Sequence, residues 1–157
     1  MRSGASFTLW SSLFLLGYLL HIAEEYWGGE GYSAFLLRLC GVSLTPERFL
    51  ILQAVGLVLM WAAVVIANQL RFPNLMLVIL SGLVLSNALT HATISIVTRS
   101  YNPGLISSLL IWMPLGAATL FRLNGKMSRF RYFAGVALGI TIDAAVSLMA
   151  LTGRGLI

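Results

Sequence analysis

Five long stretches of apolar residues, separated by short polar segments, constrain the fold of this chain more than any other feature. A helix needs about 20 mostly apolar residues to cross the hydrocarbon core of a bilayer. Stretches that meet this requirement cover residues 7–26, 47–68, 74–97, 105–121 and 132–151. Their apolar residues are continuous rather than alternating, which argues against a membrane β-barrel. The sequence therefore predicts an all-α, polytopic membrane helix bundle of about five transmembrane helices, forming a single domain over residues 1–157.

The composition agrees with a chain whose main solvent is lipid. Hydrophobic residues make up 59% of the sequence and charged residues 10%, whereas soluble domains have roughly 45–50% and 25%. So few charged residues cannot cover the surface of a soluble fold of this size, which indicates a membrane protein. The single cysteine, Cys40, cannot form an intrachain disulfide, and the sequence lacks the Cys/His spacing of zinc sites.

The segment between the first two spans contains clear helix signals. Residues 28–46 are rich in glycine and end on Thr45 and Pro46, which predict an N-cap followed by proline in the first helical turn. Within this segment, residues 33–40 predict a short interfacial helix, because they are too few to cross a bilayer. The first span resembles a signal peptide, but no small-x-small cleavage site follows it, so we expect it to remain as a helix.

The net charge of +5 fits an anionic membrane surface better than nucleic acid. The basic residues are scattered between the apolar runs, as is typical of loops that orient membrane helices. An N-terminus on the inner side places six basic residues inside and four outside: Arg2, Arg71, Arg122, Lys126, Arg129 and Arg131 inside, and Arg38, Arg48, Arg99 and Arg154 outside. We therefore predict no nucleic-acid partner, a cytoplasmic N-terminus and an external C-terminus.

Polar side chains of the first and third spans are expected to meet at one depth. His21 lies near the end of the first span, and Asn87 and His91 lie in the later part of the third. Because successive spans run in opposite directions, these two ends lie on the same side of the membrane. At a rise of about 1.5 Å per residue, His21 lies roughly 21 Å along its span and His91 roughly 26 Å along its own.

Helical spacing also allows these side chains to share a face. Glu24 and Glu25 follow His21 by three and four residues, and His91 follows Asn87 by four. Ionisable groups within a membrane span need partners and mark a functional site by default. The polar residues of the two spans therefore predict one shared cluster.

The chemistry of this cluster leaves two options. Two imidazoles and one or two carboxylates form a suitable ligand set for Zn, Fe or Mn. Without a metal, the same groups make a proton relay or a general acid/base pair in a dry pocket. The predicted catalytic and metal-binding residues are His21, Glu24, Glu25 and His91. Asn87 and Asp143 are predicted as supporting residues, because Asn87 shares a face with His91 and no Lys or Arg lies at the depth of Asp143.

The order of three motifs resembles a known family. Residues 21–25 read HxxEE, a second histidine follows in a later span, and residues 101–104 read YxPG. This order is similar to the HXXEE family of small prokaryotic integral membrane proteins, whose biochemical activity is unassigned. The resemblance implies a bacterial inner or plasma membrane, but no reaction. The signature positions that it implies are His21, Glu24, Glu25, His91, Tyr101, Pro103 and Gly104.

Three classes of function remain open at the level of the sequence. The first is a metal-dependent hydrolase or oxidase acting on a lipid or other apolar substrate, with the metal as Lewis acid or activator of water. The second is a transporter or channel for protons or metal ions, and the third is a structural or accessory subunit. Residues 135–139 read GxxxG, which predicts close helix packing within the bundle or in a homo-oligomer.

Overall fold

The computed structural model describes residues 2–152, with side chains for residues 7–151, and it is built from helices. The helices are α1 (Arg2–Trp27), α2 (Tyr32–Cys40), α3 (Pro46–Gln69), α4 (Pro73–Thr98), α5 (Leu105–Leu123) and α6 (Arg129–Thr152). No strand occurs within residues 2–152. The predicted all-α fold class is therefore confirmed.

Five of the helices, all except α2, are long and apolar enough to cross a membrane. The number of spans thus agrees with the prediction, although α1 begins at Arg2 rather than at residue 7 and α6 at Arg129 rather than at residue 132. The nine residues of α2 are too few to cross. The single domain over residues 1–157 stays a prediction, since residues 1 and 153–157 lie outside the described chain. The side chain of Arg2 and the whole of Arg154 also lie outside it, although both were counted among the basic residues of the inner and outer segments.

Local sequence signals explain how two of the spanning helices are built. The Thr45 hydroxyl oxygen accepts the Arg48 backbone N–H at 3.3 Å and Pro46 opens α3, so the predicted N-cap is confirmed. Pro114 lies inside α5 but has no N–H to donate. The helix widens into a π turn over Ser108–Trp112, which ends two residues before this proline. Such turns commonly occur at functional sites.

The helix α4 is the central element of the bundle. It packs against α1, α3, α5 and α6. Half of its spanning window is buried inside the protein, compared with 11% of the corresponding window of α3. Polar side chains on α4 therefore have several protein neighbours available, whereas those on α3 have few.

The GxxxG motif at residues 135–139 lies in the contact between α6 and α4. A Cβ atom at Gly139 would collide with the Ile79 carbonyl oxygen, and one at Gly82 would lie 2.5 Å from the Val136 carbonyl oxygen. Small residues permit this close approach of backbones in membrane bundles. The motif is thus used for packing within the bundle, and a homo-oligomer stays a prediction.

Candidate metal centre

The structure brings His21 and Glu25 of α1 together with His91 of α4. All three side chains are buried. Each imidazole presents its Nε2 atom to the same carboxylate oxygen, Oε1 of Glu25, at 3.6 Å. One ligand atom from each residue lies within 4.8 Å of the other two, so the three residues could hold one metal ion. We call this group the metal centre.

The spacing within the metal centre fits a metal ion better than direct hydrogen bonds. N–H···O bonds in proteins are roughly 2.7–3.2 Å long, which is shorter than the 3.6 Å between each Nε2 and Glu25 Oε1. Ligand atoms about 2.1 Å from a tetrahedral ion lie about 3.4 Å from one another. In the part of the chain that the structure describes, His21 Nε2 is also buried without a hydrogen-bond partner. The residues present therefore fit a metal.

Ser107 of α5 is the hydrogen-bond partner of His21 Nδ1. The Ser107 hydroxyl donates to the Gly104 carbonyl oxygen at 3.2 Å and lies 2.9 Å from His21 Nδ1. Because a hydroxyl carries one hydrogen, a Ser107 hydroxyl that donates to Gly104 accepts from His21 Nδ1–H, and a neutral ring then carries its lone pair on Nε2. Metal-binding histidines typically donate through the other ring nitrogen in this way.

Glu25 is held in place from α3. Gln53 Nε2 donates to Glu25 Oε2 at 2.8 Å, and the Tyr18 hydroxyl donates to Gln53 Oε1 at 2.6 Å. Gln53 thus engages one carboxylate oxygen, while the other, Oε1, faces both histidines. Hydrogen bonds of this kind orient metal-binding carboxylates.

Aromatic rings cover the metal centre on two sides. Trp112 stacks on the His21 ring with centroids 3.9 Å apart. Tyr32 of α2 lies 6.3 Å from the His91 ring, centroid to centroid. Burial and the negative charge of Glu25 raise the pKa of Tyr32, so its hydroxyl stays protonated. The short helix α2 therefore supplies part of the wall of the site.

Gly104 lies directly against both imidazoles. A Cβ atom at this position would lie 2.7 Å from His91 Cε1 and 2.8 Å from His21 Cε1. The residue also has a φ of +95°, in the left-handed region that favours glycine. Pro103 and Asn102 are buried, and Asn102 Nδ2 donates to the His91 carbonyl oxygen at 3.5 Å. The turn after α4 thus closes over the metal centre at a position that only glycine fits.

Glu24 lies outside the metal centre and caps the N-terminus of α5. Its carboxylate accepts the backbone N–H groups of Ile106 at 2.8 Å and Ser107 at 2.6 Å, and the Tyr101 hydroxyl at 2.7 Å. A negative group here satisfies free N–H donors and complements the helix dipole. We call the α5 cap the group formed by the Glu24 carboxylate, the Tyr101 hydroxyl and the backbone N–H groups of Ile106 and Ser107. The catalytic and metal-binding role of Glu24 stays a prediction, since three hydrogen bonds already engage both of its oxygens.

Tyr101 packs where the chain leaves α1. A Cβ atom at Gly28 would lie 2.5 Å from the Tyr101 hydroxyl oxygen, and one at Gly29 would lie 3.0 Å from its ring. Burial and the hydrogen bond to Glu24 raise the pKa of Tyr101, so its hydroxyl remains a donor. Tyr101 therefore joins the turn after α4 to the end of α1.

The predicted supporting residues Asn87 and Asp143 lie beside the metal centre. Asp143 is buried. Its carboxylate interacts with the side chains of Ser86 and Asn87 of α4 and lies within electrostatic range of His91 and His21. The three-residue ligand group does not include it. Asn87 and Asp143 therefore form a polar pair next to the site.

Four residues of the site received no role from the sequence: Tyr18, Gln53, Ser107 and Trp112. Gln53 had a detectable signal, because it is a polar residue inside the most apolar of the five spans. Tyr18 precedes His21 by three residues, which places both on one face of α1. Ser107 and Trp112 gave no signal, since they meet His21 only through the packing of α5 on α1.

Comparison with known proteins identifies a family but no activity. The family model described as "Protein of unknown function with HXXEE motif" matches residues 12–119. This range contains the HxxEE residues, His91 and the turn at residues 101–104, although YxPG as a family motif stays a prediction. No match was found among curated proteins or among solved structures. Because the match covers more than half of the 157 residues, the chain belongs to the family of proteins of unknown function with the HXXEE motif.

Proposed function

We propose that this protein is an integral membrane enzyme that binds a metal ion at His21, Glu25 and His91 and acts on a lipid or other apolar substrate. One observation carries the proposal: two buried imidazoles present Nε2 to the same Glu25 oxygen at 3.6 Å. With the Ser107 hydroxyl donating to Gly104, His21 Nδ1 carries the ring hydrogen and a neutral ring has its lone pair on Nε2. A lone pair and a carboxylate oxygen repel each other unless a cation lies between them. A divalent metal ion is a cation that both groups bind.

The ligand set favours a catalytic ion over a structural one. Zinc hydrolases use two histidines and a glutamate, and many non-haem iron oxygenases use two histidines and a carboxylate. Structural zinc sites usually have four protein ligands, whereas three leave a position for substrate. We therefore propose Zn, Fe or Mn in a hydrolase or an oxidase. When bound, such an ion supplies a Lewis acid and activates water.

The surroundings of the metal centre favour an apolar substrate. The site lies toward one end of the α1 and α5 spans, and the outer faces of these helices are apolar. Exposed leucines on these faces are Leu19, Leu20, Leu109 and Leu110. A substrate that reaches the centre from the bilayer must pass such side chains, which favours acyl or other hydrocarbon groups.

Metal analysis of the protein purified in detergent tests the proposal. We expect about one equivalent of metal in the wild-type protein and its loss in His21→Ala, His91→Ala and Glu25→Gln. Glu30→Gln is the matched control, because Glu30 is an exposed carboxylate that pairs with Arg38 outside the spans. Little metal in the wild type, unchanged in the three variants, would contradict the proposal. Ion flux in proteoliposomes that Glu25→Gln abolishes, without bound metal, would support a transporter instead.

We also propose that the protein lies in a bacterial inner or plasma membrane with its N-terminus in the cytoplasm. The four basic residues from Arg122 to Arg131, in and around the connection between α5 and α6, support this orientation. The native cysteine offers a direct test, since Cys40 is exposed at the end of α2. A membrane-impermeant maleimide should label Cys40 in intact cells. A Ser128→Cys protein that also carries Cys40→Ala should be labelled only after lysis, and the reverse pattern would invert the topology.

A further inference from the structure

The two histidines of the metal centre are held differently at Nδ1. His21 Nδ1 forms a hydrogen bond with Ser107 Oγ at 2.9 Å. His91 Nδ1 is equally buried, but no residue in the described part of the chain offers it a hydrogen bond. Buried polar atoms almost always have a partner, either in the protein or in an ordered water. His91 Nδ1 therefore needs a hydrogen-bond partner that is not a protein group, such as an ordered water.

Two more buried polar atoms on the same face of α4 lack partners among the described residues. Asn87 Oδ1 lies one turn before His91, and Ser95 Oγ lies one turn after it. Residues four apart rise about 6 Å along a helix and share a face. Polar atoms on one helix face, one turn apart, can share a bridging water, which needs two to four polar partners.

Asn87 is in turn tied to a buried acid on another helix. The carboxylate of Asp143 on α6 interacts with the side chains of Ser86 and Asn87. Because a carboxylate accepts and Oδ1 of Asn87 has no partner among the described residues, we assign this interaction to Nδ2, the donor atom of the amide. Oδ1 is then left as an acceptor.

We propose that one bound water joins Asn87 Oδ1 to His91 Nδ1, completing a hydrogen-bond chain from Asp143 to the metal centre. The water accepts from Nδ1–H of His91 and donates to Asn87 Oδ1. This arrangement leaves the lone pair of His91 on Nε2, facing Glu25. Asn87 and Asp143 are thus positioning residues for His91, as Ser107 is for His21. Their effect on metal affinity rests on the proposed function, whereas the hydrogen-bond chain itself does not.

Histidine NMR tests the chain without any metal. The protein contains two histidines, so labelling with nitrogen-15 histidine gives only two imidazoles to resolve. Above neutral pH we expect both metal-free rings as Nδ1–H tautomers. Asn87→Leu should remove this preference at His91 and leave His21 unchanged, and Ser107→Ala should do the reverse. Ser86→Ala is the matched control, because it removes the other partner of Asp143 and should leave both tautomers unchanged.

Metal affinity provides the second readout. Asn87→Leu should weaken binding by roughly 10–100-fold, as loss of a hydrogen-bond partner of a metal ligand commonly does, and Ser86→Ala should not. A wild-type His91 with its hydrogen on Nε2, or an unchanged His91 signal in Asn87→Leu, would overturn the proposal. If Asn87→Leu also moves the His21 signals, which would indicate misfolding, Asp143→Asn decides. A change confined to His91 then supports the chain, and no change contradicts it. The expected tautomers in a protein that binds no metal would refute the metal centre alone.

Discussion

Glu24 and Glu25 are neighbours in the sequence, yet they belong to two regions of the molecule with different chemistry. Glu25 is buried in the metal centre, where Gln53 holds one oxygen and both histidines face the other. Glu24 lies in the α5 cap, where its oxygens accept two backbone N–H groups and a phenol. Because successive residues point about 100° apart on a helix, the two carboxylates meet different neighbours.

Two adjacent residues of the HxxEE motif thus have different roles: Glu24 belongs to the α5 cap, and Glu25 belongs to the metal centre. The α5 cap fixes the start of α5, and Ser107 at that start holds His21. The α5 cap therefore supports the metal centre. Both regions meet at the turn after α4, where Tyr101 belongs to the cap and Gly104 lies against the imidazoles. Four predictions test this division, from the largest expected effect to the smallest.

Gly104→Ala should have the largest effect, because it strikes both regions. The left-handed backbone costs alanine roughly 1–2 kcal/mol, and overpacking against the two imidazoles adds about 1–3 kcal/mol. Gly125→Ala is the matched control, since Gly125 has a φ of +76° but open space around it. Thermal unfolding in detergent measures both variants. Equal losses in the two would show that contact with the imidazoles does not matter.

Exchanging each glutamate for glutamine should separate the two regions. Glu24→Gln should lower the free energy of unfolding by about 1–3 kcal/mol, since it weakens hydrogen bonds to a charged group, and should retain bound metal. Glu25→Gln should lose the metal. Calorimetry and metal analysis on both proteins provide the measurements. Metal loss from a folded Glu24→Gln protein would place Glu24 in the metal centre after all.

Gln53→Leu should act on the metal centre alone. It removes the hydrogen bond to Glu25 Oε2, so metal affinity should fall by roughly 10–100-fold while α5 stays capped. Tyr18→Phe removes only the bond to Gln53 and should have a weaker effect in the same direction. Competition with a chelator measures both affinities. An unchanged affinity in Gln53→Leu would remove Gln53 from the site.

Tyr101→Phe should have the smallest effect and should act on the α5 cap. Loss of its hydrogen bond to Glu24 should destabilise the protein by about 0.5–1.5 kcal/mol without changing metal affinity. Tyr26→Phe serves as the control, because the Tyr26 ring packs on Trp27 and Phe49. Equal thermal stability of the Tyr101→Phe and wild-type proteins would contradict this role for the hydroxyl.

The parts of the site that the sequence predicted follow from the geometry of single helices. His21 and Glu25 share a face because they are four residues apart, and Asn87 and His91 share one for the same reason. The depth match between His21 and His91 follows from the helical rise and the alternating direction of spans. Gln53 was within reach of the same reasoning, because a polar residue in so apolar a span needs a partner.

The sequence by itself determined the five spanning helices, because span length and apolarity are properties of each segment and of its solvent. Tertiary structure alone decided which glutamate faces the histidines, because that depends on how α1 is rotated against α4 and α5. It also decided that Ser107 holds His21 and that the GxxxG motif packs α6 on α4. Contacts between helices depend on rotation and crossing, which the pattern along one helix does not encode.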